Sequence, residues 1–179
     1  MRQFSLPGTA FPSIPFHCLP CACVSSDSRA RPDATLCGLE SQRRCLALIK
    51  ANGTVMGWTP DVVIFVRPDV RIGSDLPVGT MLQMRRNDVL VPHHMGFGGF
   101  NDRIGVCCAG AAADAYGERV DGVASYLDSL TRKEITRAPE LHPETYLKHT
   151  LEVAHRLRVR TIGIKLNLVD ATGYVKRFT

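Results

Sequence analysis

The stretch D-V-V-I-F-V-R-P-D-V, residues 61 to 70, sets the fold class of this chain. From Asp61 to Val66 almost every side chain is apolar and β-branched or aromatic, which predicts a strand buried on both faces. Arg67, Pro68 and Asp69 then place a cation, a residue that cannot continue a ladder and a carboxylate at its carboxyl end. In open α/β sheets the ligand crevice lies outside the carboxyl ends of the strands. Two readings follow from these residues, a binding site or an Arg–Asp pair that caps a strand.

Outward from that strand, helical and extended patterns alternate. Leu39, Leu46 and Ile49 recur on one side of a predicted helix over Leu39 to Lys50, with Glu40, Gln42, Arg43 and Arg44 elsewhere. Asn52-Gly53 is a turn dipeptide and is expected to end that helix. With Thr54 it also forms a glycosylation sequon, meaningful only in the secretory pathway. Downstream, Asp88 to Val91 predicts a short strand ending at Pro92. The glycine-rich H-H-M-G-F-G-G-F-N-D-R, residues 93 to 103, leads into a third apolar run, Ile104 to Cys108.

Tyr116, Val120, Val123, Leu127 and Leu130 recur at helical spacing, weakened by Gly117 and Gly122. Residues 143 to 157 give the clearest helix, with Leu147, Thr150, Leu151, Ala154 and Leu157 on one face. Pro143 suits the first helical position and Glu144 the first turn. Finally Ile162, Ile164, Leu166 and Leu168 alternate with polar neighbours, the pattern of a half-buried strand. Alternating strands and helices make the class α/β. Residues 1 to 36 hold five of the eleven prolines and show no periodicity, so this segment is expected to be irregular or disordered. Pro7, Pro12 and Pro15 interrupt any signal-peptide core there.

At 179 residues the chain suits one domain with a real core. A net charge of +5, without a basic stripe, suits an anionic ligand such as a nucleotide or phosphate but is too weak to argue for a nucleic-acid binder, and no nucleic-acid partner is expected. No apolar run reaches the roughly 20 residues of a transmembrane helix. The seven cysteines do not form a disulfide framework. Cys18, Cys21 and Cys23 beside His17 resemble half of a zinc site, but a second ligand group at proper spacing is missing. Cys107 and Cys108 read as small core residues.

Asp69 and Asp102 each lie close to arginines, namely Arg67, Arg71 and Arg103. Carboxylates with cations nearby can hold Mg²⁺ or Mn²⁺ together with a diphosphate. Spacing alone favours the simpler alternative of structural Arg–Asp pairs. His93 and His94 would point opposite ways in a strand and read as surface or loop residues. Glu144 is a candidate base, although a glutamate at a helix start also complements the macrodipole. No phosphate loop, dinucleotide fingerprint or nucleophile elbow is present in the sequence.

In order, the motifs are a helix bearing C-L, a strand ending R-P-D, then G-G-F-N-D-R, an alanine-rich helix with Tyr, and H-P-E-x-x-L. This order resembles an uncharacterised family of glycosyltransferase-like proteins of plants, algae and large viruses, similar in pattern to capsule and lipopolysaccharide sugar transferases. The resemblance covers residues 37 to 179, which it makes a glycosyltransferase-like α/β domain. It implies a partial GT-A-like fold, an open mixed sheet flanked by helices that binds a nucleotide-diphospho-sugar. The implied activity moves a sugar from a nucleotide-sugar donor to a hydroxyl of a glycan or protein acceptor, assisted by Mn²⁺ or Mg²⁺.

By the same resemblance Asp69 would hold the metal and the donor diphosphate, with Arg67 beside it. Gly98, Gly99, Asn101, Asp102 and Arg103 would shape the donor pocket, and Asp102 or Glu144 would serve as the catalytic carboxylate. GT-A folds begin with nucleotide-binding strands well before the metal motif, so the chain is expected to match the carboxyl-terminal part of such a domain. It would then expose a sheet edge for a partner chain. The alternative function is a catalytically inactive remnant that binds protein or glycan. The family reading points to the Golgi or secretory pathway, without a visible targeting segment.

Overall fold

The computed structural model describes residues 32–131, 141–169 and 172–176. A long helix, α1 (Pro32–Met56), precedes strand β1 (Val62–Val66). Short β2 (Val70–Ile72) and α2 (Val78–Met81) follow, then β3 (Asp88–Pro92) and β4 (Ile104–Cys108). Next come α3 (Ala111–Gly117), a 3₁₀ turn (Arg119–Gly122) and α4 (Val123–Thr131). The chain continues through α5 (Pro143–Lys148), a π-helical turn (His149–Ala154), β5 (Arg158–Ile162), β6 (Leu166–Val169) and β7 (Val175–Lys176).

Four strands form a mixed open sheet in the order β1-β4-β3-β5. β4 runs antiparallel to both β1 and β3, and β5 runs parallel to β3. β1, β3 and β5 therefore end on the same side, with β4 starting there. A second sheet, β2-β6-β7, is entirely antiparallel. The protein is thus a mixed α/β fold with an open sheet and helices. None of the described helices is long and apolar enough to cross a membrane.

The sheet separates two apolar layers. On one face Val63, Phe65, Val89, Val91 and Cys107 pack with Leu46 of α1, Tyr116 of α3, and Leu147 and Leu151 of the last helix. On the other face Leu90, Ile104, Val106 and Ile162 meet Met81, Ile164 and Leu166, with Val70 and Ile72 of the small sheet. Coverage on both sides explains why every residue of β3 and β4 is buried. Cys107 and Cys108 are core residues, as expected.

Four expectations need correction. The strand at 61 to 66 is not buried on both faces: β1 is an edge strand, Val63 and Phe65 are buried, and Ile64 and Val66 are 40% and 42% exposed. Its apolar run looks like an interior strand because edge position depends on which strands pair, not on composition. The first helix does not stop at Asn52-Gly53 but continues to Met56. Residues 32 to 36, expected to be irregular, form its start. The run from Ile162 to Leu168 is split between two sheets, with β5 ending at Ile162 and β6 beginning at Leu166. The expectations for residues 1 to 31, including Cys18, Cys21 and Cys23, lie outside the described residues.

The remaining helical readings hold in part: the helix expected over residues 143 to 157 stops at Ala154, and Leu157 lies beyond its last turn. Gly117 and Gly122 do interrupt the third helical region, which becomes α3, the 3₁₀ turn and α4. Pro143 occupies the first turn of α5. Leu147, Thr150, Leu151 and Leu157 are buried, whereas Ala154 faces solvent. The helix ends through a π turn, with the His155 N–H donating to the Thr150 carbonyl at 3.1 Å and Arg156 at φ 52°.

Candidate functional site

Pro68 favours a turn directly after β1, and the Val70 N–H closes it onto the Arg67 carbonyl at 3.1 Å. Before that turn the ladder extends one step further, because the Arg67 N–H donates to the Arg103 carbonyl at 3.0 Å. R-P-D and N-D-R, distant in sequence, are therefore adjacent at one end of the sheet.

The Arg67 guanidinium joins them. Its Nε and Nη2 donate to the two oxygens of Asp69 at 3.0 and 2.6 Å, a bidentate fork. Its Nη1 lies 3.3 Å from both oxygens of Asp102. The Asp102 side chain is 10% exposed, against 34% for Arg67 and 39% for Asp69. Burial alone would lower the Arg67 pKa, but hydrogen bonding and charge from the two aspartates outweigh it and raise the pKa. Arg67 is a permanent cation there.

The glycine-rich loop returns to the same end. Gly99 N–H donates to the Gly96 carbonyl at 2.6 Å, and the turn between them places Phe97 at φ 42° and Gly98 at φ 87°. Only Gly98 of these two adopts that conformation without steric cost. Asn101 is fully buried: its Nδ2 donates to the His94 carbonyl at 2.8 Å and its Oδ1 accepts the Arg103 N–H at 3.0 Å. Both ends of that amide are used in folding the loop. Arg103 is buried.

The start of α5 seats this loop. Phe100 N–H donates to the Glu144 carbonyl at 3.0 Å, and a Cβ on Gly99 would lie 2.0 Å from that oxygen. Glu144 itself is buried, with its carboxylate 3.4 Å from His142 Nδ1. Its carboxyl group thus lies against the residue that immediately precedes its own helix. His94 is partly buried; burial, then the charges of His93 and Arg103, lower its pKa and favour the neutral ring at pH 7. His93 is exposed, with Nδ1 3.2 Å from the Ile162 carbonyl.

All eight candidate residues therefore belong to elements that meet at one end of the sheet. Arg67, Asp69 and Asp102 are in direct contact; Gly98, Gly99, Asn101 and Arg103 shape the loop; Glu144 joins through its backbone. Sequence reasoning missed His142 as the partner of Glu144, although H-P-E held that clue. It also missed Tyr116, whose hydroxyl donates to the Asp102 carbonyl at 3.4 Å and whose ring stacks on Phe65 at 4.8 Å. Nothing local in the sequence points from Tyr116 to Asp102.

Two cavities open away from this cluster. One, about 440 Å³, is lined by Asp114, Glu118, Arg119, Asp121, Tyr146 and His149. The other, about 500 Å³, is lined by Leu46, Ile49, Lys50, Trp58 and Val63. The first carries three carboxylates and the second is largely apolar, so neither suits a diphosphate. The charge arrangement at the sheet end is the better candidate, although it is not a deep cavity. Cys107 is no nucleophile, because burial pushes its thiol pKa well above the usual range.

As placed, the residues do not fit a divalent ion. Both Asp69 oxygens are occupied by Arg67, which also covers Asp102. Among the described residues no group of three or more His, Cys, Asp or Glu could hold a metal. No family model matches this chain, and no curated protein or solved structure matches it.

Proposed function

We propose that the chain is a glycosyltransferase-like domain that takes a nucleotide-sugar donor at the carboxyl ends of β1 and β3. The observation that carries this reading is the Arg67 guanidinium, shared between Asp69 and Asp102 at 2.6 and 3.3 Å. A partly exposed, permanent cation at a strand end is suited to a donor diphosphate. On donor binding Arg67 would exchange Asp69, the more exposed carboxylate, for phosphate oxygens. Asp102 would hold the other side of the guanidinium in place.

In transfer, the acceptor oxygen bonds to the sugar carbon as the bond to the diphosphate breaks. Arg67 would stabilise the charge that builds on the leaving diphosphate. Glu144, released from His142, would take the acceptor proton, with Asp102 as the other candidate. Metal assistance belongs to the proposal as a competition, since Mn²⁺ or Mg²⁺ can reach Asp69 only if Arg67 leaves it.

The test is a thermal-shift titration of the chain with nucleoside diphosphates, with and without Mn²⁺. Ligand at 100 times its Kd should stabilise the fold by about 2.7 kcal/mol. Asp69→Ala should melt cooperatively and lose any Mn²⁺-dependent part of the response. A cooperative melt that ignores every nucleotide would overturn the reading. It would favour the second one, an inactive glycosyltransferase-like domain that binds protein or glycan. The full engagement of Asp69 by Arg67 is the observation on that side.

A further inference from the structure

Residues 60 to 68 read P-D-V-V-I-F-V-R-P, a nearly mirror-symmetric segment about Ile64. Pro60 mirrors Pro68, Val62 mirrors Val66, apolar Val63 mirrors apolar Phe65, and Asp61 mirrors the opposite charge of Arg67. The segment spans β1, an edge of the four-stranded sheet. The direction of its backbone groups follows from its two ends. The Asp61 carbonyl accepts from Ala109 and the Arg67 N–H donates to Arg103, so odd-numbered residues face β4. Val62, Ile64 and Val66 consequently direct N–H and C=O to the side where no described strand pairs.

The two edges of this sheet differ. β5 carries Arg158 and Arg160, both near Asp88, and such charges blunt an edge. β1 has no charge and no proline between Val62 and Val66, and Ile64 and Val66 are about two-fifths exposed (40% and 42%). An edge of this kind is a template for another strand.

We propose that β1 pairs antiparallel with β1 of a second copy of this chain, across a two-fold axis at Ile64. In that register Ile64 opposes Ile64 of the second copy, and Val62 opposes Val66. Each of these pairs can exchange both N–H···O bonds. Asp61 opposes Arg67 at each end; because the Arg67 guanidinium is already held by Asp69 and Asp102, this pair marks the register and adds little attraction. Pro60 opposes Pro68, so the ladder stops where neither residue has an N–H to offer.

Other registers lose these matches. A shift of one residue turns the buried Val63 and Phe65 toward the opposite face. A shift of two sets Asp61 against Phe65, or Arg67 against Val63. The interface is isologous, as two-fold dimers require. It joins the two sheets into one and covers Ile64 and Val66. The inference shares Arg67 with the donor-site reading but requires no donor to be bound.

The experiment is sedimentation velocity on the full chain, combined with cysteine cross-linking. Wild type should sediment at twice the mass of one chain, and Ile64→Lys at half that, because it sets two cations together on the axis. Ile64→Cys should form an intermolecular disulfide under mild oxidant, well above the wild-type background set by the native cysteines. Its Cα atoms would lie about 5.5 Å apart, within disulfide range. Val66→Cys should stay at background, since its two copies would be about 14 Å apart at ~3.4 Å per residue. A wild-type monomer at every concentration would overturn the proposal. So would equal cross-linking of Val66→Cys and Ile64→Cys. The cross-linking comparison decides the matter even if Ile64→Lys fails to fold.

Discussion

Gly98 and Gly99 are neighbours in one loop, and each is required for a different reason. Gly98 sits at φ 87°, where a side chain is strained. Gly99 is needed for space, because a Cβ would fall 2.0 Å from the Glu144 carbonyl oxygen. Gly99→Ala must push the loop off α5 and break the Phe100–Glu144 backbone hydrogen bond. The expected cost is about 1–3 kcal/mol of folding stability, read by chemical denaturation. Unchanged stability would mean that the loop and helix separate freely. That glycine was needed here was legible in G-G-F-N-D-R, since the pair signals a bend or close approach. The surface approached was not, because Glu144 lies 45 residues later in the numbering.

Where an element ends depends on the residues beyond it, as α1 illustrates. Asn52-Gly53 is a stop signal in isolation, yet the helix continues through it to Met56. The working stop is Gly57 at φ 67°, followed by the Trp58 N–H bonding back to the Gly53 carbonyl at 3.0 Å. That is the Schellman arrangement of a helix end. It reverses the usual expectation for a glycine inside a helix. Alanine ordinarily favours a helix over glycine by about 1 kcal/mol. At Gly53 a Cβ would lie 2.6 Å from the Trp58 carbonyl oxygen. Gly53→Ala should therefore lower the thermal midpoint, and a raised midpoint would show that the capping turn can shift. The same dependence on surroundings explains β1: periodicity identifies a strand, but only its neighbours make it an edge.

Across the whole molecule, Asp88 ties the start of β3 to β5. Its buried carboxylate accepts the Arg85 N–H at 3.0 Å and both Nε and Nη2 of Arg158 at 2.6 Å. The Arg158 hydrogen bonds lower its pKa, overcoming burial, which acts in the opposite direction. A carboxyl group with a lowered folded pKa stabilises the fold above its unfolded pKa of about 4. That contribution is lost as pH falls through the lower folded value. Asp88→Asn should cost about 1–3 kcal/mol at pH 7. In urea melts from pH 7 to pH 3 the gap to wild type should narrow only below about pH 4. A gap independent of pH would show that Asp88 acts through shape alone. The sequence by itself determined the local elements, such as the apolar strands at 88 to 92 and 104 to 108, the helix beginning at Pro143, and the charged strand end at Arg67. Those follow from periodicity, proline chemistry and side-chain type, which act over a few residues. Only the tertiary structure decided that β1 lies at an edge, that Ile162 and Leu166 belong to different sheets, and that Arg67 binds Asp102 as well as Asp69. Each of these depends on contacts between distant segments, and local pattern carries no record of which distant segment will be the neighbour.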